Sequence, residues 1–347
     1  MPLRDDEIAA AVRVLRGGHL VQGREVASLE EEFAPLVDGR HCIAVNSGTS
    51  ALHLTLLALG IGPGDQVVVP SFTFAATAHA VSLTGAIPVF ADIDPATYCL
   101  DPGHVDSLIT PRTRAVVPVH LFGHPAAMPQ LRAIADRHHL ALVEDAAQAH
   151  GARLDDASVG ALGHAAAFSF YPTKNMHSVE GGVIATGDAG LAHRLRLLRN
   201  HGMDATRYHH EIIGTNARMT DVSAAIGRVQ LRSLAERTER RRLNAGVLDA
   251  TLAGVKTPAV APGTLHVYHQ YVVRVPGARD HLRDCLADAG IGTAVHYPTP
   301  IHRMPAYNLD LDLPHAEQAS REVLSLPVHP SLTDDDLASI AKAVNAA

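Results

Sequence analysis

Two residues of this chain have the types that amine–aldehyde chemistry needs. Lys174 lies in Phe168-Ser-Phe-Tyr-Pro-Thr-Lys174-Asn, and Asp145 lies upstream in Val143-Glu-Asp145-Ala-Ala-Gln148. Each follows a short apolar run, Leu140 to Val143 and Ala165 to Phe170. Runs this short, bounded by polar or turn residues, read as buried strands. Ligands of an open α/β sheet sit beyond the carboxyl ends of its strands, so the lysine and the aspartate can meet in one crevice. A lysine amine forms a Schiff base with an aldehyde, and a carboxylate holds a pyridine nitrogen protonated. Together these are the two protein groups that pyridoxal 5'-phosphate (PLP) chemistry requires. Taken singly, a lysine is most often a solvated charge and an aspartate after a strand most often caps a helix. The pair and its neighbours carry the reading.

The neighbours supply the rest of such a site. Asn46-Ser-Gly48-Thr49-Ser50-Ala-Leu follows a strand and opens a helix. Free N–H groups at a helix N-terminus, with small hydroxyl side chains, bind phosphate, although the same run also fits an ordinary capped helix. It lacks the Gly-Lys-Ser/Thr of a P-loop. Phe74, in Pro70-Ser-Phe72-Thr-Phe74, stands after a strand and can stack on a flat ring or pack in the core. Ser169 can give a hydroxyl to the phosphate. Gln148, one helical turn after Asp145, can touch the ring, and Gly181-Gly182 suit a tight backbone beneath the lysine.

The elements that must position these residues follow from hydrophobic periodicity. An N-terminal helix spans Asp5 to Leu15 and stops at Gly17-Gly18; a second spans Gln22 to Val37. From Cys42 to Ala185 about seven short strands alternate with helices, which predicts an α/β fold with a mostly parallel sheet. Thr220 to Leu252 reads as one or two helices. A smaller α+β unit closes the chain: strand His269 to Val275, helix His281 to Ala289, strand Gly292 to His296, and helices after His315 and Thr333. The Pro-rich segment Tyr297 to Tyr307 reads as an ordered loop. The domains are thus 1–235 and 236–347, with the N-terminal helix a candidate to pack on the smaller one.

Composition bounds the partners. The chain has 347 residues, 47% hydrophobic and 19% charged, a globular balance with length for about two domains. A net charge of −7 gives no reason to expect nucleic acid or an anionic membrane. Arg237, Arg240, Arg241 and Arg242 sit among glutamates on a helix and read as a solvated or subunit-contact face. Cys42, Cys99 and Cys285 are odd in number and widely spaced, the pattern of reduced thiols in a cytoplasmic protein. The start, Met-Pro-Leu-Arg-Asp-Asp, has no signal-peptide character, and no apolar run reaches the ~18 residues of a membrane span. Among 23 histidines no His-Glu-x-x-His occurs, so no metal is expected. No Gly-x-Gly-x-x-Gly follows the first strand, which counts against a dinucleotide-binding protein.

Five stretches together resemble the DegT-type sugar aminotransferase family, within the fold type I (aspartate aminotransferase) superfamily of PLP enzymes. They are Asn46-Ser-Gly-Thr-Ser-Ala-Leu, Pro70-Ser-Phe-Thr-Phe, Glu144-Asp-Ala-Ala-Gln-Ala-His-Gly, Phe168-Ser-Phe-Tyr-Pro-Thr-Lys-Asn and Gly214-Thr-Asn-Ala-Arg-Met-Thr-Asp. The match runs from Val21-Gln-Gly to Leu326-Pro-Val-His-Pro-Ser-Leu-Thr. The resemblance implies a large domain with a seven-stranded sheet and a small C-terminal domain. It implies Lys174 as the Schiff-base lysine and Asp145 on the pyridine nitrogen. Phe74 stacks on the ring, Gln148 contacts it, and Gly48, Thr49, Ser50 and Ser169 bind the phosphate. Asn216 reaches the cofactor phosphate of a neighbouring subunit, so a homodimer shares its sites. Tyr297 and His302 lie where family members approach substrate.

The implied reaction moves an amino group from L-glutamate or L-glutamine to a ketone, a nucleotide-linked keto sugar before a keto-cyclitol, in amino-sugar, antibiotic or polysaccharide biosynthesis. Relatives that dehydrate or deoxygenate have histidine in place of the lysine, and Lys174 argues against them. A non-catalytic PLP-binding regulator is the alternative of another class; no DNA-binding module is visible. Two stretches depart from the family pattern. Ser178-Val-Glu180-Gly-Gly replaces the usual Gly-Glu-Gly-Gly and looks more like relatives acting at C-4 than at C-3. Gly17-Gly-His19-Leu lacks the Trp or Arg that many relatives place before the Leu, which bears on the acceptor pocket.

Overall fold

Runs such as Gln66-Val-Val-Val-Pro become strands because both faces of the sheet are covered. Val67, Val68 and Val69 are all fully buried, so the run is continuously apolar and does not alternate. The structure, a computed structural model, describes residues 3–204 and 208–347. Its strands are β1 (His41–Val45), β2 (Gln66–Pro70), β3 (Ile87–Ala91), β4 (Thr113–Val116), β5 (Ala141–Asp145), β6 (Arg153–Leu154), β7 (Ala157–Ser158), β8 (Ala165–Ser169), β9 (Gly182–Thr186), β10 (Thr264–Leu265), β11 (Tyr271–Arg274) and β12 (Val323–Leu326).

Among the described residues one seven-stranded sheet has the order β1-β9-β8-β5-β4-β2-β3. Strands β2, β3, β4, β5 and β8 run parallel. Only β9 opposes its neighbours β1 and β8. The carboxyl ends of β1, β2, β5 and β8 therefore lie along one edge, as the α/β reading requires. Helices Gly48–Ala58, Ala76–Leu83 and Met128–Arg137 link these strands. Buried side chains such as Leu54, Val81 and Leu131 join the main core, each worth about 1.5–3 kcal/mol of burial.

Two departures from the expected elements concern the C-terminal part. Gly292–His296 is not a strand and makes a single rung, Ala294 to Ser325. The partner of β11 is instead β12, antiparallel, with Tyr271 opposite Leu326 and Arg274 opposite Val323. Val323-Leu-Ser-Leu follows helix Pro314–Glu322 with no Gly or Pro between them, so no local signal marks a change of element. Helix Leu234–Thr251 supplies Leu248 to a second apolar cluster with Tyr271, Leu286, Leu324 and Ile340.

The N-terminal helix Asp5–Gly17 does not pack on that cluster. Its Ala10 and Val14 meet Ala225 of helix Asp221–Arg232, and Gln230 Nε2 donates to the buried Glu7 carboxylate at 2.7 Å. The apolar stripe of helix Asp221–Arg232 is the surface that Ala10 and Val14 fit. Among the described residues no helix is long and apolar enough to cross a membrane.

Candidate active site

Asp145 ends β5, between its neighbours β4 and β8. That central place leaves it 5% exposed. Oδ2 accepts from Thr77 Oγ1 at 2.7 Å and Oδ1 from the Ala147 N–H at 3.1 Å. Burial pushes its carboxyl above the ordinary value, while Thr77, Ala147 and the nearby Lys174 oppose that shift. Lys174 lies five residues beyond the end of β8, in a turn where its N–H donates to the Tyr171 carbonyl at 2.9 Å. Burial lowers its amine to about 8, and the Asp145 charge pulls the other way. The sheet thus brings the two residues into one electrostatic site. An amine lowered by burial is a better nucleophile near neutral pH.

The helix that follows β1 begins beside β8. Ser47 caps helix Gly48–Ala58, accepting from the Ser50 N–H at 3.1 Å. Helix geometry leaves the preceding N–H groups of Gly48 and Thr49 without intrahelical acceptors. Ser169 ends β8 directly opposite: a Cβ at Gly48 would stand 2.7 Å from Ser169 Cβ. Only glycine allows the helix N-terminus and the serine to stand this close. Gly182 is held tighter still, since its Cβ would meet the Phe168 carbonyl oxygen at 2.6 Å and Ser47 backbone at 2.8 Å.

The two phenylalanines of the Pro70–Phe74 stretch part company. Phe72 is wholly buried, whereas Phe74 is 60% exposed. Core packing is therefore the role of Phe72, and Phe74 presents its ring to the crevice beside Tyr297, 6.3 Å between centroids. Gln148 is held at both ends. Its Oε1 accepts from the Phe122 N–H at 2.7 Å, and its Nε2 donates to the Tyr297 hydroxyl at 3.0 Å.

Four residues near this centre carried no assignment from sequence. Thr77 is one. His150, His269 and His296 are the others. Each has its pKa lowered by burial and further by the Lys174 charge, His150 to about 3 and His269 well below the ordinary value. Three imidazoles thus lie within electrostatic reach of the lysine. His150 stands in the Glu144–Gly151 motif. Of the remaining expected residues, Asn216 is exposed and forms an isolated bridge with Asn200. His302 is fully buried, against Ser71 and Glu317.

A family model for the DegT/DnrJ/EryC1/StrS aminotransferases matches residues 2–345. The chain belongs to this family. It is 48% identical to the dTDP-3-amino-3,4,6-trideoxy-α-D-glucose transaminase of Streptomyces venezuelae, over 95% of this chain and 89% of that protein. It is also 48% identical to the erythromycin biosynthesis sensory transduction protein EryC1 of Saccharopolyspora erythraea, over 96% and 93%. An X-ray structure of S. venezuelae DesV superposes with a TM-score of 0.94 at 47% identity, covering 98% of this chain and 93% of that one.

The protein is an aminotransferase, and its cofactor is PLP. The residues present fit that group. A buried carboxylate holds one hydroxyl and one backbone N–H and, among the described residues, no bonded cation, which a pyridinium N–H would supply. The Gly48–Ser169 contact forms a cradle with hydroxyls and free N–H groups on its rim. An exposed aromatic ring and a lysine of lowered pKa complete the set.

Proposed function

We propose that this enzyme transfers an amino group from L-glutamate or L-glutamine to the C-3 ketone of a nucleotide-linked sugar, with sites shared across a homodimer. The observation that carries the reading is the Asp145–Lys174 pair at adjacent strand ends, in a chain 48% identical to a sugar-nucleotide transaminase. The 3-amino sugar in that relative's name supports C-3. The Ser178-Val-Glu180-Gly-Gly loop favours C-4 by resemblance, but it is one short loop set against identity along the whole chain.

In this reading Lys174 Nζ would hold the cofactor, and the same amine would take the proton from the donor α-carbon and later give it back. Bound PLP supplies an electron sink for that carbanion. Asp145, buried and bonded to Thr77, would hold the pyridine nitrogen protonated. Gly48, Thr49, Ser50 and Ser169 would hold the phosphate, and Phe74 and Gln148 would contact the ring. Asn216 reaches the phosphate in the second copy. Ile213, 96% exposed three residues earlier, is a side chain that a second copy would cover. The free Cys42, Cys99 and Cys285 support a cytoplasmic setting.

The test is an absorbance spectrum of the PLP-loaded protein before and after L-glutamate, then L-glutamine. The expected result is loss of the lysine-bound band and growth of the pyridoxamine band with one of them. Keto-sugar nucleotides with the ketone at C-3 or C-4, and a keto-inositol, are then offered to the pyridoxamine form. Turnover of the 3-keto sugar supports the proposal; turnover of the 4-keto sugar or the cyclitol alone refutes its acceptor. A spectrum unmoved by either donor refutes the transfer and favours a regulator.

A further inference from the structure

We propose that His302 is a positioning residue that fixes Tyr297, and through it the Gln148 amide, over the cofactor ring, without touching substrate. The inference rests on the proposed aminotransferase site. The segment from Tyr297 to Tyr307 leaves the smaller sheet and lands on the main one, where Ile301 enters the core. Its anchor is Ser71, the residue that follows β2. Ser71 is itself immobile: it is fully buried, and its N–H donates to the Ala91 carbonyl at 2.9 Å. The Ile301 N–H donates to the Ser71 carbonyl at 2.8 Å, and His302 Nδ1 lies 2.5 Å from Ser71 Oγ.

The other face of the imidazole is also occupied. His302 Nε2 lies 3.4 Å from Glu317 Oε1, and that carboxylate is held by Arg303 at 2.8 Å. Glu317 only accepts, so Nε2 carries the proton, Nδ1 is the acceptor, and the Ser71 hydroxyl donates. With both nitrogens engaged and no exposed surface, His302 has nothing left to offer a substrate.

What His302 can do is hold the chain that bears Tyr297. The two are joined by Pro298-Thr-Pro300-Ile301, and two prolines in so short a link restrict its backbone. Tyr297 then stands edge-on to Phe72 at 6.1 Å, beside Phe74, with its hydroxyl on Gln148 Nε2. Burial pushes the Tyr297 phenol above its ordinary pKa, so it accepts from Gln148 and keeps its own proton to give into the crevice. Ser71, Phe72 and Phe74 belong to the same turn. The link thus locks both aromatic walls of the site to one strand end.

The experiment compares His302→Ala, His302→Asn, Ser71→Ala, Tyr297→Phe and the double variant His302→Ala/Tyr297→Phe. One readout needs only bound PLP: the pH midpoint of the lysine-bound absorbance. It should move in the same direction in His302→Ala, Ser71→Ala and Tyr297→Phe, and His302→Asn, which keeps an acceptor for Ser71, should restore it in part. The second readout is pyridoxamine formation from donor with no acceptor present. His302→Ala should slow it about tenfold, and the double variant should be no slower than the worse single one. A substrate contact predicts the opposite: an unmoved midpoint, a normal donor step and a raised KM for the acceptor alone. That outcome, or additive effects of the two substitutions, overturns the proposal. If His302→Ala does not fold, His302→Asn and Ser71→Ala decide by the same readouts. Should wild-type protein form no pyridoxamine with either donor, the transfer reading fails, and the absorbance midpoint still judges His302.

Discussion

Replacing Asp145 by asparagine changes one charge and almost no volume, so its effects separate catalysis from stability. In the proposed PLP site Asp145, only 5% exposed, would form a buried pair with the pyridinium nitrogen. Removing one member of a buried pair costs about 3–5 kcal/mol. At 1.36 kcal/mol per tenfold, pyridoxamine formation should slow by roughly two to four orders of magnitude. Lys174 should still take up PLP, and its amine, deprived of the carboxylate charge that raises it, should titrate lower than about 8.

Stability without cofactor should move the other way. Burial raises the Asp145 carboxyl, so the folded protein binds that proton more tightly than the unfolded chain does. The stabilisation this gives is present at low pH and is lost as pH rises through the raised value. At pH 7 the ionised group costs stability in the cofactor-free protein, and Asp145→Asn should raise its melting temperature. The advantage should disappear toward pH 3. In the PLP-loaded protein the variant should melt lower than wild type. Stopped-flow absorbance and melting scans with and without PLP measure all of this. A variant within threefold of wild type in pyridoxamine formation, or one that melts lower than wild type without PLP at pH 7, would refute the reasoning.

Three further outcomes follow from the same geometry. Thr77→Val deletes the 2.7 Å bond to Asp145 Oδ2; a bond to a charged group is worth about 1.5–3 kcal/mol, so pyridoxamine formation should fall by roughly one to two orders of magnitude in stopped-flow traces. Gly48→Ala would set a Cβ 2.7 Å from Ser169 Cβ, which forces the cradle open; titration should show PLP binding at least about fivefold weaker, an overpacking cost within 1–3 kcal/mol. Lys174→Ala and Asn216→Ala proteins, each impaired alone, should recover about a quarter of wild-type activity when unfolded and refolded together, because half of the dimers are mixed and one of their two sites is whole. No recovery would show that each chain builds its site alone.

Much of this was legible in the residues themselves. Lys174 and Asp145 follow apolar runs whose length and flanks mark strand ends, and strand ends on one sheet edge are where ligands bind. The same apolar runs located all seven strands of the main sheet. Other features had no local trace. Val323–Leu326 reads as the continuation of a helix, and only its partner β11, some fifty residues away, makes it a strand. Thr77, His150, His269 and His296 come from four separate stretches, and no spacing along the chain relates them to Lys174.

The chemistry of the protein was thus set at the level of residue type and local run: an amine, a carboxylate, a glycine-opened helix and the strands that end beside them. These are properties of consecutive residues, whose apolar pattern decides burial and period. Which side chain turns inward was settled by packing. Phe72 and Phe74 are alternate residues of one turn, yet one is wholly buried and the other 60% exposed. His302 shares a short motif with Tyr297, yet Ser71 and Glu317 engage both its nitrogens. Such choices depend on neighbours that arrive from distant parts of the chain, and only the folded arrangement brings them within hydrogen-bonding distance.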